Sequence, residues 1–192
     1  MKKITFLFLV LISTFGFAQE KGKVRVSLDL GYAIPSAGGG GLAVYLEPAY
    51  NISDNISVGL RLGSAALIKE VVSTEGGDAI EGEIGANGSY MGTFNYYFNG
   101  DSSFTPYIGA GLGFVSVANV SFDSSITDDE LEADGKFGGM IRAGFELGKF
   151  RMGVDYNFIP KTEFEFDGEV IGEAKNGYFG ISLGFFVGGG KW

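Results

Sequence analysis

From Lys136 to Phe158 the chain alternates between apolar and polar positions. Phe137, Ile141, Ala143, Phe145 and Leu147 share one phase, and Gly138, Met140, Arg142, Gly144 and Glu146 share the other. After Gly148-Lys149 the pattern resumes: Phe150, Met152, Val154, Tyr156 and Phe158 oppose Arg151, Gly153, Asp155 and Asn157. A period of two gives a strand with two unlike faces. A two-residue turn with Gly first joins the arms into a hairpin. Centred there, the turn sets Glu146 opposite Arg151 and Arg142 opposite Asp155, and both pairs are sign-matched. One face of the hairpin is a wide aromatic and aliphatic band. The other holds Gly, Asn and full charges of both signs. An apolar outside with paired charges inside is the arrangement of a membrane-spanning barrel.

The same alternation recurs along the chain. Strand one is Val24 to Ala33, with Val24, Val26, Leu28, Leu30 and Tyr32 against Arg25, Ser27, Asp29 and Gly31. Strand two is Leu42 to Tyr50, with Pro48 near an end or a bulge because it cannot donate to the ladder. Strand three runs from Ile56 to about Ile68, and a turn centred on Asp54 sets Glu47 opposite Arg61. Strand four is Ile84 to Phe98, strand five Phe104 to about Val117, strands six and seven the hairpin above, and strand eight Tyr178 to Val187. Asn99-Gly100-Asp101 opens a tight turn.

The expected fold is therefore all-β: an eight-stranded antiparallel up-and-down transmembrane barrel. Short and long connections alternate, which puts both termini on the side of the short turns. Segments 69–83, 118–135 and 160–176 are the long loops, and they hold 5, 6 and 5 acidic residues, 16 of the chain's 23. Thr127-Asp128-Asp129-Glu130 has capping-box spacing, which allows a short helix in the second of them. Short periplasmic turns and longer extracellular loops are the outer-membrane pattern, so both termini are expected in the periplasm.

The first residues change the picture of where the chain goes. Lys2 and Lys3 precede an apolar run from Ile4 to Phe15, and Gly16-Phe17-Ala18 is a small-x-small cleavage site. Residues 1–18 read as a secretory signal peptide, leaving 19–192 as the barrel domain. No Cys follows the cut, which excludes a lipoprotein anchor. Removing 18 of 192 residues leaves 174, and losing two of 14 basic residues leaves 12 against 23 acidic ones, a net charge of −11. That charge argues against nucleic acid as a partner. No later window approaches the roughly 20 apolar residues of a spanning helix.

The segments EPAYNISDNISVGLRLG (47–63), TPYIGAGLGF (105–114) and GISLGFFVGGGKW (180–192) resemble the small outer-membrane barrels of the OmpA/OmpX/OmpW-like group, especially the short porin-family proteins of Bacteroidota. The resemblance covers the whole mature chain. It implies a bacterial outer-membrane location, contact with outer-membrane lipid and lipopolysaccharide, insertion by the barrel-assembly machinery, and a monomer. Two departures matter. No peptidoglycan-binding domain follows the barrel. Trp192 is out of phase with Phe179-Ile181-Leu183-Phe185, so recognition by the assembly machinery falls to Phe185 or Phe186.

The chain contains no His, which removes Ser-His and Cys-His schemes and imidazole metal sites. The lipid A enzymes of this architecture, PagP and PagL, rely on histidine, so the family route to an enzyme is closed. No catalytic residue, metal site or cofactor is expected. Gly109, Gly111 and Gly113 resemble a phosphate-binding loop only loosely, because no helix follows; glycines in a small barrel leave room for bulky neighbours. The candidate site is instead a lumen ion-pair network of Glu47, Arg61, Arg142, Asp155, Glu146, Arg151 and Asp29. An eight-stranded barrel is only wide enough for side chains to fill it, and charges there must be paired. Tyr32, Tyr50, Tyr96, Phe98, Phe104 and Phe150 fit interfacial girdles. The expected role is structural or surface-interacting, with acidic loops on display. The alternative is a narrow passive route for small or hydrophobic solutes. A third reading, a soluble β-sandwich, would bury the aromatic face.

Overall fold

The computed structural model describes residues 20–36, 38–71, 81–98, 104–120, 134–166 and 169–189. Among the described residues ten strands follow one another: β1 (Val24–Pro35), β2 (Gly40–Asn51), β3 (Ile56–Val71), β4 (Glu81–Tyr97), β5 (Phe104–Val120), β6 (Asp134–Leu147), β7 (Phe150–Phe158), β8 (Thr162–Phe166), β9 (Glu169–Ala174) and β10 (Tyr178–Gly188). Eight of them close into an antiparallel barrel in the order β1-β10-β7-β6-β5-β4-β3-β2. Each barrel strand pairs with its neighbour in sequence except at β7–β10, where β8 and β9 intervene as a separate two-stranded sheet. Closure joins β1 to β10, from Arg25↔Gly188 to Pro35↔Tyr178.

Period-two alternation decides which side faces in. Outward residues form an apolar wall: Leu183 is 62% exposed and Val154 40%. Residues of the opposite phase are enclosed: Arg142 is 6% exposed and Asp155 3%. Such a continuous apolar exterior has no counterpart on a water-soluble monomer. The soluble sandwich is thereby excluded, since Tyr32, Tyr50, Tyr96, Phe98, Phe104 and Phe150 all face outward.

The hairpin register is as the turn chemistry requires. Leu147 faces Phe150 across Gly148-Lys149, and Gly148 takes φ +66°, the left-handed region that favours glycine. Glu146↔Arg151 and Arg142↔Asp155 are Cα partners. The β2–β3 ladder runs from Gly40↔Ile68 to Asn51↔Ser57 and is interrupted at Glu47 and Pro48, between Leu46↔Leu62 and Ala49↔Gly59. Pro48 has no N–H to give.

Two expectations need correction. The strands continue into the segment 69–83, with Lys69↔Glu83 and Val71↔Glu81 still paired. Sequence alternation marks only the half-buried part of a strand, while backbone pairing runs past it. The segment 160–176 is not one loop but carries the β8–β9 hairpin, whose register runs from Thr162↔Ala174 to Phe166↔Glu169. Its short Glu163-Phe164-Glu165-Phe166 alternation is hidden in an acidic stretch. The signal peptide, the 99–101 turn, the capping-box segment and Trp192 lie outside the described residues.

The two ends of the barrel differ. At the short-turn end the first and last described residues meet: Glu20 N donates to Gly189 O at 2.7 Å, and Asn51 Nδ2 donates to the same oxygen at 2.9 Å. At the other end the rim is uneven. β3 to β6 span 14 to 17 residues, whereas β7 has 9 and β10 has 11. The β6–β7 ladder stops at Gly139↔Phe158, while β6 stays paired to β5 as far as Val117↔Asp134. From Gly138 upward, β6 therefore stands above the end of β7.

Candidate functional site: the lumen and the notch in its wall

The strands place one inward charge or more at five points of the circumference. β1 carries Arg25 and Asp29, β2 Glu47, β3 Arg61, β6 Arg142 and Glu146, and β7 Arg151 and Asp155; all eight are buried. Four arginines and four carboxylates cancel. A dry, side-chain-filled lumen requires such a balance, since an unmatched ion there costs several kcal/mol.

Most of the bonds run across the barrel. Arg142 holds Glu47 with both amino groups, Nη1 to Oε2 at 2.7 Å and Nη2 to Oε1 at 2.5 Å. Its Nε also donates to Asn95 Oδ1 at 2.8 Å. Thr93 Oγ1 donates to Glu47 Oε1 at 2.7 Å. Arg151 lies 3.5 Å from Glu47 Oε2 and 3.8 Å from Asp29 Oδ2, and donates to Ser27 Oγ and Tyr107 OH. Arg61 pairs with Asp155 at 3.2 Å and stacks over Tyr45, its guanidinium carbon 3.7 Å from the ring centre. Nearest the turn end, Arg25 pairs with Glu146 and lies over Phe186 at 3.9 Å.

The adjacent-strand pairing expected from the sequence is thus corrected. Arg142 and Asp155 face each other in register, yet Arg142 bonds Glu47 and Asp155 bonds Arg61. Glu47 and Arg61 likewise separate to those partners, and Glu146 is held by Arg25. The physical reason is reach. Side chains opposite each other on neighbouring strands point into the lumen side by side. A long guanidinium overshoots its shorter neighbour and meets a carboxylate from the far wall of so narrow a cylinder.

All seven proposed network residues sit in the lumen. Arg25, Ser27, Thr93, Asn95 and Tyr107 complete it. Their signal was present, since each shares the polar phase of its strand. Glycines make the space: a Cβ on Gly109 would collide with Asn95 Oδ1 and stand 3.1 Å from Arg142 Nε.

Toward the long-connection end the lumen turns apolar. Ala33, Ala43, Ala65, Leu67, Val115 and Tyr178 belong to one buried cluster with Tyr45, Met140 and Ile159. Near Ile159 a cavity of about 660 Å³ opens in the wall beneath the β6 overhang. Its lining combines outward-facing Leu112, Phe137 and Phe158 with buried Gly138 and Ile159. Lys161 and Lys175 stand on its rim.

No group of three or more His, Cys, Asp or Glu suited to a metal ion exists among the described residues. No family model matches the chain. It is 32% identical over 108 residues to outer membrane protein W of Vibrio cholerae, covering 53% of this chain and 49% of that one. It is 29% identical over 141 residues to the outer-membrane protein y4mB of Sinorhizobium fredii, covering 66% and 55%. The chain thus spans about half the length of the curated relatives it matches. Among solved structures, Neisserial surface protein A aligns over 86% of this chain and 95% of its own, with TM-score 0.54 and 18% identity. OprG from Pseudomonas aeruginosa aligns over 88% and 97%, with TM-score 0.56 and 12% identity. At such identities the two structures speak for the fold alone.

Proposed function

We propose, on the premise that the chain is a small eight-stranded outer-membrane β-barrel protein, that it is a closed wall protein without an open aqueous pore. The observation behind this reading is the Arg142–Glu47 bond across the middle of the lumen, with Asn95, Thr93 and Arg151 packed around it. An ion crossing here would have to break that bond and then pass the apolar cluster above it. Planar-bilayer recording of the purified barrel tests this. Silence at moderate voltage is expected, and steady unitary currents would overturn it.

The short-turn end, where Glu20 meets Gly189, is assigned to the periplasm, and the acidic end to the cell surface, following the usual asymmetry of such barrels. The chain has no Cys, so single cysteines report sidedness cleanly. Glu165→Cys should label on intact cells and Lys149→Cys only after lysis; the reverse pattern would invert the assignment. Insertion by the barrel-assembly machinery, a monomeric state and contact with outer-membrane lipids belong to the same reading. So does the absence of catalysis: each lumen carboxylate has an arginine within 4 Å, and the chain has no histidine.

One observation favours a second reading. The cavity beneath the β6 overhang is lined by outward-facing Leu112, Phe137 and Phe158 and also by Ile159, a member of the buried apolar cluster. That geometry suits sideways passage of a small apolar solute into the bilayer. Ile159→Trp would then slow uptake of an apolar fluorescent probe into proteoliposomes; unchanged uptake would remove this alternative.

A further inference from the structure

We propose that the turn 20–23, Asn51 and the pair Gly188–Gly189 form a latch on the β1–β10 seam, and that this latch sets how often the barrel wall opens. The seam is unlike the other seven ladders of the barrel. Each of those joins barrel strands that follow one another along the chain, whereas β1 and β10 meet across its length, with Arg25 beside Gly188. Closing so long a loop carries the largest entropy cost, so this ladder gains most from a fastening. Pulled apart inside a bilayer, the two strands would also bare a row of backbone groups to hydrocarbon.

The fastening lies at the short-turn end. Lys23 N donates to Glu20 O at 3.2 Å, which closes a tight turn, and Gly22 at its third position takes φ +84°. A glycine there accepts the positive φ at no steric cost. The turn brings residue 20 back past the start of β1, where Glu20 N donates to Gly189 O at 2.7 Å. From the other flank of β1, Asn51 Nδ2 donates to that same oxygen at 2.9 Å and reaches Glu20 O at 3.4 Å. β2 and β10 are not neighbours, since β1 lies between them. The Asn51 side chain therefore spans β1 and bolts β2 to β10. Its backbone holds the turn as well: Gly22 N donates to Asn51 O at 2.8 Å, and Asn51 N donates to Lys23 O at 2.9 Å. Asn51 is fully buried, so water does not compete for these bonds. Gly188 and Gly189 suit the arrangement, with φ of +80° and +91°. Lys149 Nζ donates to Gly188 O at 3.0 Å, so two successive carbonyls accept three donors from three parts of the chain. The opposite end of the seam continues with a plain ladder bond, Ser36 N donating to Gly177 O at 2.9 Å.

The latch requires neither the orientation nor the silent lumen proposed above. Hydrogen exchange of the full barrel in phosphatidylcholine nanodiscs, read by mass spectrometry of its peptides, tests it. Asn51→Leu keeps the volume and removes the bolt. Glu20→Pro removes the other N–H that reaches Gly189 O, because proline has none. Asn55→Leu is the control: Asn55 Nδ2 donates to Tyr97 O at 2.8 Å, a bond of the same kind at the same end of the barrel, but made to the end of β4. Amides over 24–28 and 184–188 should exchange about tenfold faster in Asn51→Leu, the change that losing a hydrogen bond of roughly 1.4 kcal/mol gives. They should also exchange faster in Glu20→Pro, while amides over 108–112 in β5 keep the wild-type rate in both. Asn55→Leu should leave the seam's rate where it was. Heat-modifiable gel migration establishes that each variant is folded; should Asn51→Leu not fold, Glu20→Pro decides. Seam exchange that either of the first two variants leaves unchanged, that rises as much in Asn55→Leu, or that rises equally over 108–112 would each overturn the latch.

Discussion

Arg142 and Glu47 are 95 positions apart in sequence and share two hydrogen bonds of 2.7 and 2.5 Å inside the barrel. Parallel N–H···O bonds between a guanidinium and a carboxylate are among the strongest polar contacts available to a protein. Both groups are buried, so removing either leaves the other without its bidentate partner, Glu47 keeping only the more distant Arg151.

The first prediction is a double-mutant cycle. Arg142→Ala and Glu47→Ala should each cost about 3–5 kcal/mol in urea unfolding from lipid vesicles. Together they should cost clearly less than the sum, because the second deletion removes a charge already stranded. The Arg142→Ala/Asp155→Ala cycle should show the smaller coupling, although these two residues face each other in the ladder. Stronger coupling to Asp155 than to Glu47 would restore the adjacent-strand pairing read from the sequence.

A second prediction separates two glycines. Gly109→Ala pushes a methyl group against Asn95 and Arg142. Overpacking of this kind costs about 1–3 kcal/mol. Gly88→Ala meets nothing within 4 Å, and should be neutral or gain up to about 1 kcal/mol from a stiffer unfolded chain. Equal effects at the two sites would mean that lumen space does not explain Gly109.

The number of barrel strands, the phase of each and the inverted faces were legible because alternation is a local property of sequence. Leu183 out and Arg142 in follow from parity alone. The β6–β7 register was legible too, since Gly148-Lys149 fixes it. What could not be read was anything requiring the curvature of the closed sheet. Arg25 shares a phase with Ser27 and Asp29, but its partner Glu146 comes from the other half of the chain. The break at Pro48 was anticipated as a bulge or strand end, whereas the β8–β9 hairpin was masked by the acidic residues around Phe164 and Phe166. The cavity beneath the β6 overhang was invisible for a different reason: it arises from unequal strand lengths, β6 with 14 residues against β7 with 9.

A third prediction concerns pH. Lys149 lies in the turn, where burial holds its ammonium below the usual lysine range and the nearby Arg25 charge adds to the effect, with Glu146 opposing. Between its folded value and the ordinary 10.5 the unfolded chain binds more protons than the folded one. Linkage then makes the stability contribution of this group rise with pH through that window. Lys149→Met should flatten the rise when thermal unfolding is followed from neutral pH upward. A variant with the same slope as the wild type would show that Lys149 is not its source.

The last prediction distinguishes two neighbouring phenylalanines at the end of β10. Phe185 is half exposed on the outer wall, and Phe186 is buried beneath Arg25. Phe186→Ala removes packing against the Arg25–Glu146 pair and should cost about 3–5 kcal/mol of stability. Phe185→Ala loses only contacts with lipid or detergent and should cost less than half of that. Assembly should respond the other way, because of these two rings only that of Phe185 faces outward. Phe185→Ala should therefore slow the appearance of heat-modifiable barrel in cells while leaving the refolded protein nearly as stable as the wild type. If Phe186→Ala slows assembly more strongly than it lowers stability, the inward ring rather than the outward one carries the signal.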